Sequence, residues 1–217
     1  MATYTIRVLN SSGFTKSYVL FMQPPQVTST GGQPVVYTNA WVTFGSIRPG
    51  SNDTVTYTDE TYAYWATATL PIAPGTTMGQ GGVAAVDTSK NDSVPFVGSG
   101  AIGFGTVAAG GAMSGSYRII ATNDFNASNG YLFGLARPGN VPGIPSPVAT
   151  FLAEPNDTFN VTPVINFYVA DGAYTAGQVI DYTVASTNAG AVSFTGRAQT
   201  SAVVTQNPDG SFTTQYF

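Results

Sequence analysis

The two tryptophans are the residues whose type and position point most directly to chemistry. Trp41 falls within a predicted strand over residues 35–44, and Trp65 falls within a predicted strand over residues 55–70. Successive side chains of a strand point to opposite faces, so Trp41 shares a face with Asn39, and Trp65 shares one with threonines. An indole ring combines a flat apolar face with an N–H donor, which suits stacking on a sugar. Two interpretations stay open: an exposed stacking platform, or rings buried in the core or under a loop.

Polar side chains close to these rings in the sequence would complete a sugar-binding site. Amide and carboxylate groups supply the donors and acceptors that sugar hydroxyls need. On the platform interpretation, the sequence predicts a non-enzymatic, lectin-like protein whose partner is a carbohydrate or glycan. The candidate ligand-binding residues are Trp41, Trp65, Tyr62, Asn39, Asn52, Asp53 and Asp59.

Carboxylates offer a route to catalysis without histidine, and the chain has eleven acidic residues. Asp59 and Glu60 are adjacent, so on a strand they would point to opposite faces and could not line one site. Pairs from distant segments cannot be identified from the sequence. A histidine-free isomerase, cyclase or glycosidase with one or two carboxylates in an apolar pocket is therefore one alternative function. These features favour a non-enzymatic protein over an enzyme, and no catalytic residue is assigned.

The absence of two residue types excludes much other chemistry. The chain has no cysteine and no histidine, which removes disulfides, thiolate nucleophiles, the most frequent general base and the most frequent metal ligand. No G-x-S-x-G element typical of serine hydrolases is present. The acidic residues are scattered and form no calcium-binding loop. The sequence therefore predicts no metal site and no cofactor.

A glycine motif lies near the middle of the chain. Gly98, Gly100 and Gly103 have the G-x-G-x-x-G spacing of dinucleotide-binding loops, and Asp124 lies where an acid would contact the ribose. That chemistry requires a helix whose N-terminus faces the pyrophosphate. The residues that follow are poor helix formers, so the motif predicts a glycine-rich strand or loop.

Four Asn-Asp pairs lie between strand-like segments. Short amides and carboxylates in such places usually close turns by accepting hydrogen bonds from nearby backbone. The same residue types also bind sugar hydroxyls, but turn formation is the favoured interpretation. The pairs are 52–53, 91–92, 123–124 and 156–157.

The charge content of the chain is unusually low. Only 8% of residues are charged and the net charge is −4, which argues against nucleic acid as a partner. A surface with little charge repulsion favours self-association, so a structural or storage protein that forms a homo-oligomer is a second alternative function.

No apolar run is long enough to span a membrane. The N-terminus lacks the features of a signal peptide, which predicts a cytoplasmic protein; a secreted mature form is the alternative.

Alternation of apolar and polar residues with a period of two recurs along the chain. It predicts further strands over residues 3–9, 17–22, 159–169, 178–184, 201–205 and 211–217, and the predicted strand 55–70 is expected to bend or break midway. Turn signals rich in Gly, Asn, Asp and Pro separate the alternating segments about every ten residues. This pattern predicts an all-β protein, either an antiparallel, jelly-roll-like β-sandwich or a barrel. The proline-rich segment 137–147 is predicted to be a loop or covering strap, because proline cannot donate to a β-ladder. Residues 1–217 are predicted to form a single domain, and strand assignments within 78–115 are left open.

The chain as a whole resembles a known class of protein. Its strands are rich in Thr, Ser, Gly and Asn, cysteine is absent, charges are few, and Trp and Tyr are scattered. In these respects it looks like the small cytosolic β-lectins of fungi. The resemblance is one of composition and pattern, and no diagnostic motif accompanies it.

Overall fold

Strands make up nearly all of the regular structure. The computed structural model describes residues 2–139, 141 and 143–217, with 49% of residues in strands and 4% in helix. The predicted all-β sandwich class is therefore confirmed. The strands are β1 (Thr3–Asn10), β2 (Lys16–Met22), β3 (Gln26–Ser29), β4 (Val36–Asn39), β5 (Val42–Ile47), β6 (Asn52–Thr58), β7 (Thr61–Thr67), β8 (Gly81–Val86), β9 (Ser93–Val97), β10 (Gly103–Phe104), β11 (Tyr117–Ala121), β12 (Tyr131–Pro138), β13 (Pro145–Leu152), β14 (Thr158–Thr162), β15 (Phe167–Asp171), β16 (Val179–Ile180), β17 (Ala189–Val192), β18 (Ser201–Gln206) and β19 (Phe212–Tyr216).

The strands form four sheets that pack together. Their orders are β19-β18-β1-β6, β10-β9-β11-β14-β3, β16-β4-β13-β12-β7-β8 and β17-β15-β2-β5. Most neighbours are antiparallel, and the β1–β18 and β9–β11 pairs are parallel. Among the described strands, no sheet closes into a barrel, so the sandwich alternative is the one that holds.

Alternation with a period of two determines which side chains reach the core. In β1, Ile6 and Val8 are fully buried, and the adjacent β18 buries Ala202 and Val204 in the same way. Residues between them face outward or are half-buried. A strand with one buried face gives this pattern because successive side chains point to opposite sides of the sheet.

One contiguous cluster of buried side chains includes members of all four sheets. Ile6 in β1, Leu20 in β2, Phe96 in β9 and Phe133 in β12 all belong to it. Many of its largest members are aromatic, and Phe96 and Phe133 lie edge to face with ring centroids 4.8 Å apart. Aromatic pairs in this geometry add to the stabilisation that comes from burying apolar area.

Three predicted strands are interrupted in the structure. The predicted strand 35–44 breaks at Ala40, so β4 and β5 belong to different sheets. The predicted strand 159–169 divides into β14 and β15, which also lie in different sheets. The break suspected within 55–70 is confirmed between β6 and β7.

A short helix replaces part of another predicted strand. Within 178–184, only β16 is extended, and the helix α1 (Tyr182–Thr187) follows it. Asp181 begins the helix, because its Oδ1 accepts a hydrogen bond of 3.1 Å from the backbone N–H of Val184. The described part of the chain contains no helix with the length and apolar character that crossing a membrane would need.

The proline-rich segment is more regular than the sequence suggested. β12 continues to Pro138 and β13 begins at Pro145, so the prediction of a loop over all of 137–147 is wrong. Pro147 pairs with Ala136 where the register shifts after Leu135, and such an irregularity tolerates a residue without an N–H donor. Pro142 lies outside the described residues.

Candidate functional site

Trp65 points into the core rather than toward solvent. Its side chain is only 6% exposed and packs against Phe96 and Tyr131 with centroid distances of 5.4 and 6.1 Å. The core face of β7 also carries Thr61 and Ala63, both buried. The prediction of an exposed ring at this position is therefore wrong, because Thr61, one of the threonines used to identify a polar face, is itself buried, and β7 ends at Thr67 before the exposed Thr69.

Trp41 is also buried, at the point where the chain passes from one sheet to another. It is 1% exposed, and its ring meets Tyr57 edge-on at 5.2 Å and Phe167 at 5.6 Å. Trp41 lies between β4 and β5, so the alternation assumed for one continuous strand does not apply to it. An exposed stacking platform at Trp41 is therefore wrong as well.

The predicted polar partners are dispersed. Asn39 is fully buried; its Nδ2 donates to the carbonyl of Gly177 at 2.8 Å, and its Oδ1 accepts from Thr150 at 3.1 Å. Asn52 and Asp53 lie exposed on β6. The structure therefore does not bring these three residues together with the indoles, and Asn39 has a structural role.

Two of the predicted ligand residues, Asp59 and Tyr62, meet in one surface cleft of about 700 Å³. We call it the acidic cleft. The connection between β6 and β7 forms one wall, and β8 with the turn after it forms the other, since β7 and β8 pair with Tyr62 opposite Ala85. Its lining residues are Asp59, Glu60, Thr61, Tyr62, Ala85, Val86, Asp87, Thr88, Ser89, Lys90 and Asp92.

Asp59 and Glu60 line this cleft together, which corrects the expectation that they point apart. That expectation required both residues to lie within a strand, whereas they occupy the connection between β6 and β7. Glu60 Oε2 accepts hydrogen bonds from Thr58 at 3.1 Å and from the Tyr62 hydroxyl at 3.4 Å. No described residue forms a hydrogen bond or ion pair with the Asp59 carboxylate, so its oxygens are free to accept from a ligand.

The other ionisable groups of the cleft have defined charge states. Burial and the neighbouring Glu60 carboxylate raise the pKa of Tyr62, so the phenol stays protonated and can donate. Hydrogen bonds from Ser89, with a contribution from Lys90, lower the pKa of Asp87 to about 2. Lys90 Nζ lies 3.3 Å from Asp87 Oδ2. The cleft therefore combines acidic side chains and one lysine with a phenol that stays protonated at neutral pH.

The residues around the turn after β8 were not identified from the sequence. Asp87, Thr88, Ser89 and Lys90 lie in the 78–115 segment, whose strands were left open, and the features noted there were the 91–92 pair and the glycine motif at 98–103. Asp92 is buried, and its Oδ2 accepts from the backbone N–H of Asp87 at 2.8 Å. This hydrogen bond shapes the turn. The Asn-Asp pair at 91–92 therefore predicted a turn in one wall of the cleft, but it did not predict the cleft.

A second cleft, of about 720 Å³, lies near the connections β3–β4 and β13–β14. It contains the side chains of Tyr37, exposed Val35 and exposed Glu154. Its other carboxylate, Asp157, accepts hydrogen bonds from the backbone N–H groups of Thr30 and Thr158. Each cleft therefore has one carboxylate without a described partner, Glu154 here and Asp59 in the acidic cleft, and the acidic cleft differs in also containing a lysine, Lys90, as a charged donor.

The glycine motif has a structural explanation. Asp124 Oδ1 accepts from the backbone N–H of Gly98 at 3.0 Å, and Oδ2 accepts from that of Ser99 at 3.1 Å. Hydrogen bonds from Thr122, Gly98 and Ser99 lower the pKa of Asp124 to about 2. A carboxylate of the chain itself thus takes the N–H groups that a phosphate would use.

Within the described residues, no group of three or more acidic side chains is arranged to hold a metal ion.

Comparison with known proteins gives one match. The family model described as RhiA matches residues 1–216. No curated protein and no solved structure matches the chain significantly.

Proposed function

The chain belongs to the RhiA family, and we propose that it is a non-enzymatic carbohydrate-binding protein whose ligand site is the acidic cleft. One observation carries the proposal: an aromatic ring, Tyr62, and an unengaged carboxylate, Asp59, line the same cleft. The buried indoles have no part in it. The proposal thus keeps the ligand class inferred from the sequence and changes the residues that contact it.

The chemistry of the cleft suits a polyhydroxylated ligand. A carboxylate can accept hydrogen bonds from two neighbouring hydroxyls, and such charge-assisted bonds are stronger than neutral ones. Thr88 and Ser89 add hydroxyls, and Lys90 adds a donor. The volume of about 700 Å³ is within the range of small-molecule sites. Since carboxylates outnumber the single ammonium group, we expect a neutral or amino sugar to be preferred over an acidic one.

Binding to a glycan array, followed by calorimetric titration of any ligand found, tests this proposal. Asp59→Asn and Tyr62→Ala should each weaken binding about 10- to 100-fold, since a hydrogen bond to a charged group contributes about 1.5–3 kcal/mol. Asp53→Asn is the matched control, because Asp53 is an exposed aspartate outside the cleft. Failure of every glycan to bind at millimolar concentration would overturn the proposal, as would equal losses in Asp53→Asn and Asp59→Asn.

The sheet edges support a second candidate function, self-association. Of the eight strands at sheet edges, only β6 contains a charged residue, Asp53. Edge strands without charges are prone to pair with other chains. Sedimentation over a wide concentration range tests this candidate: Thr213→Lys in β19 should reduce association, and Ser51→Lys in an exposed turn should leave it unchanged. A strictly monomeric wild-type protein would exclude it.

A further inference from the structure

The core contains a buried cation that forms no direct ion pair with a described residue. Arg137 is 2% exposed and follows Phe133 and Leu135 along the face of β12 that packs in the core. Both ion pairs among the described residues involve lysines, Lys16 and Lys90. The Arg137 Nε–H has no hydrogen-bond partner among the described residues. Because arginine keeps its proton in proteins, its charge must be compensated in another way.

Two further polar groups near Arg137 are also buried. The Tyr57 hydroxyl and the Trp41 Nε1–H are without hydrogen-bond partners among the described residues. The two rings are in edge-to-face contact at 5.2 Å. A Cβ placed on Gly139, two residues after Arg137, would lie 3.8 Å from Trp41 Nε1. Buried polar groups are normally paired, so three unpaired donors in one region require an explanation.

The charges around this cluster favour an anion. Burial lowers the pKa of Arg137, and the Asp59 carboxylate opposes this shift; the other titratable neighbours are Tyr57, Tyr117 and Tyr4. Burial also raises the pKa of Tyr57, so its hydroxyl stays neutral and can donate. Asp59 is the one carboxylate among these neighbours, and it lies beyond ion-pair distance. A single negative charge would balance Arg137, and the nearby Asp59 carboxylate disfavours a ligand with several negative charges.

A cleft of about 510 Å³ borders the cluster at Tyr57, which is the one residue of the three that lines it. Its lining includes Tyr57 and Gly139, the residues that border Trp41 and Arg137, together with the exposed Val141. Glu60 lines both this cleft and the acidic cleft. The cluster is nevertheless a separate site, because none of its three donors lines the acidic cleft.

We propose that Arg137, Tyr57 and Trp41 form a binding site for a small monovalent carboxylate that enters through this cleft. A guanidinium is a planar fork of donors that matches the two oxygens of a carboxylate. The phenol and indole groups add donors that a carboxylate can accept in addition. This proposal does not depend on the proposed sugar-binding function.

Thermal unfolding and calorimetric titration with sodium acetate test the proposal, with sodium chloride at equal ionic strength as the reference. Acetate should raise the melting temperature in a saturable manner and more than chloride does. Tyr57→Phe removes only the hydroxyl and should weaken acetate binding at least fivefold. Tyr4→Phe is the matched control, because Tyr4 stacks on Tyr57 at 5.5 Å but is not one of the three donors. Arg137→Met should abolish the acetate effect.

Three results would overturn the proposal. Acetate and chloride could shift the melting temperature of the wild-type protein equally. Tyr57→Phe and Tyr4→Phe could bind acetate with the same affinity. A folded Arg137→Met protein could retain the acetate effect. If Arg137→Met does not fold, as judged by circular dichroism, the comparison of the two tyrosine variants decides the matter.

Discussion

At the scale of single residues, one buried carboxylate connects segments that are distant in sequence. Asp157 accepts hydrogen bonds from the backbone N–H groups of Thr30 at 3.0 Å and Gly31 at 3.2 Å, and from that of its neighbour Thr158 at 2.6 Å. It thereby attaches the connection after β3 to the start of β14. Burial raises the pKa of Asp157, but hydrogen bonds from the Thr30 hydroxyl, the Thr158 N–H, the Ser29 side chain and the Gly31 N–H outweigh burial and lower it below the ordinary value.

Asp157→Asn should therefore destabilise the protein and reduce its sensitivity to acid. Loss of charge-assisted hydrogen bonds to buried groups costs about 1–3 kcal/mol. The folded-state pKa lies below the unfolded value of 3.8, so the contribution of Asp157 is complete above pH 3.8 and is lost as the pH falls through the folded-state pKa. Urea unfolding between pH 7 and pH 2 measures both effects.

Asp53→Asn provides the comparison for this prediction, since Asp53 is exposed. It should change the free energy of unfolding little at any pH. The role assigned to Asp157 would be contradicted if both variants had the same stability and the same pH profile.

Asp157 belongs to one of the four Asn-Asp pairs, and their hydrogen bonds were predictable in part. The four Asn-Asp pairs were predicted to form turns; Asp92, Asp124 and Asp157 do accept backbone hydrogen bonds, but the 52–53 pair lies in β6, so the turn prediction is wrong there. The identity of the distant partners, such as Gly98 for Asp124 and Thr30 for Asp157, depends on which strands pair. Residue type therefore predicts that these carboxylates will accept backbone hydrogen bonds, whereas the identity of the donor is a property of the tertiary structure.

At the scale of elements, the alternation of side chains along each strand was predictable, but which face of the strand packs in the core was not. The sequence predicted most strands of the first and last segments of the chain, and β1, β2, β18 and β19 follow closely. The indoles were placed on the wrong side because threonine was treated as a mark of the solvent face. Threonine favours strands and tolerates burial, as Thr61 demonstrates at 9% exposure. The break at Ala40 also removed the alternation on which the position of Trp41 depended.

The candidate site was predictable only in part for a related reason. Asp59 and Tyr62 were identified as ligand residues, and the cleft contains both. Its other wall comes from the segment around β8, whose glycines and alanines carry little periodic signal. Pairing of β7 with β8 brings the walls together, and pairing between strands some twenty residues apart cannot be deduced from local pattern.

A close contact within the six-stranded sheet gives a prediction at this scale. Gly134 is in the middle of β12, where a Cβ would collide with the backbone of Ala149 on β13. Its carbonyl also accepts a hydrogen bond of 2.8 Å from the buried Tyr117 hydroxyl. Gly134→Ala should therefore reduce the free energy of unfolding by about 1–3 kcal/mol through overpacking, as measured by urea denaturation.

Gly45 on β5 is the matched control for this substitution. It is exposed, and nothing lies within 4 Å of a Cβ placed there. Gly45→Ala should be neutral or slightly stabilising, because it lowers the entropy of the unfolded chain. Equal effects of the two substitutions would contradict the close approach of β12 and β13.

At the scale of the whole molecule, stability comes mainly from one aromatic-rich core, since charged residues are few. The four sheets contribute to that core together, and only two ion pairs join described residues. Surface ion pairs contribute little to stability in any case. We therefore expect the free energy of unfolding to depend weakly on salt concentration, and we propose that the chain unfolds as a single domain.

The two buried indoles provide a direct measurement of that cooperativity. Trp41 packs on Phe167 of β15, whereas Trp65 packs on Phe96 of β9, so the two rings report on different sheets. Trp65→Phe leaves fluorescence from Trp41 alone, and Trp41→Phe leaves fluorescence from Trp65 alone. Within each variant, the fluorescence transition in urea should coincide with the far-ultraviolet circular dichroism transition, because a shared core couples the sheets. A fluorescence midpoint displaced from the dichroism midpoint in either variant would mean that the sheets around that indole unfold separately, and the single-domain proposal would then be wrong.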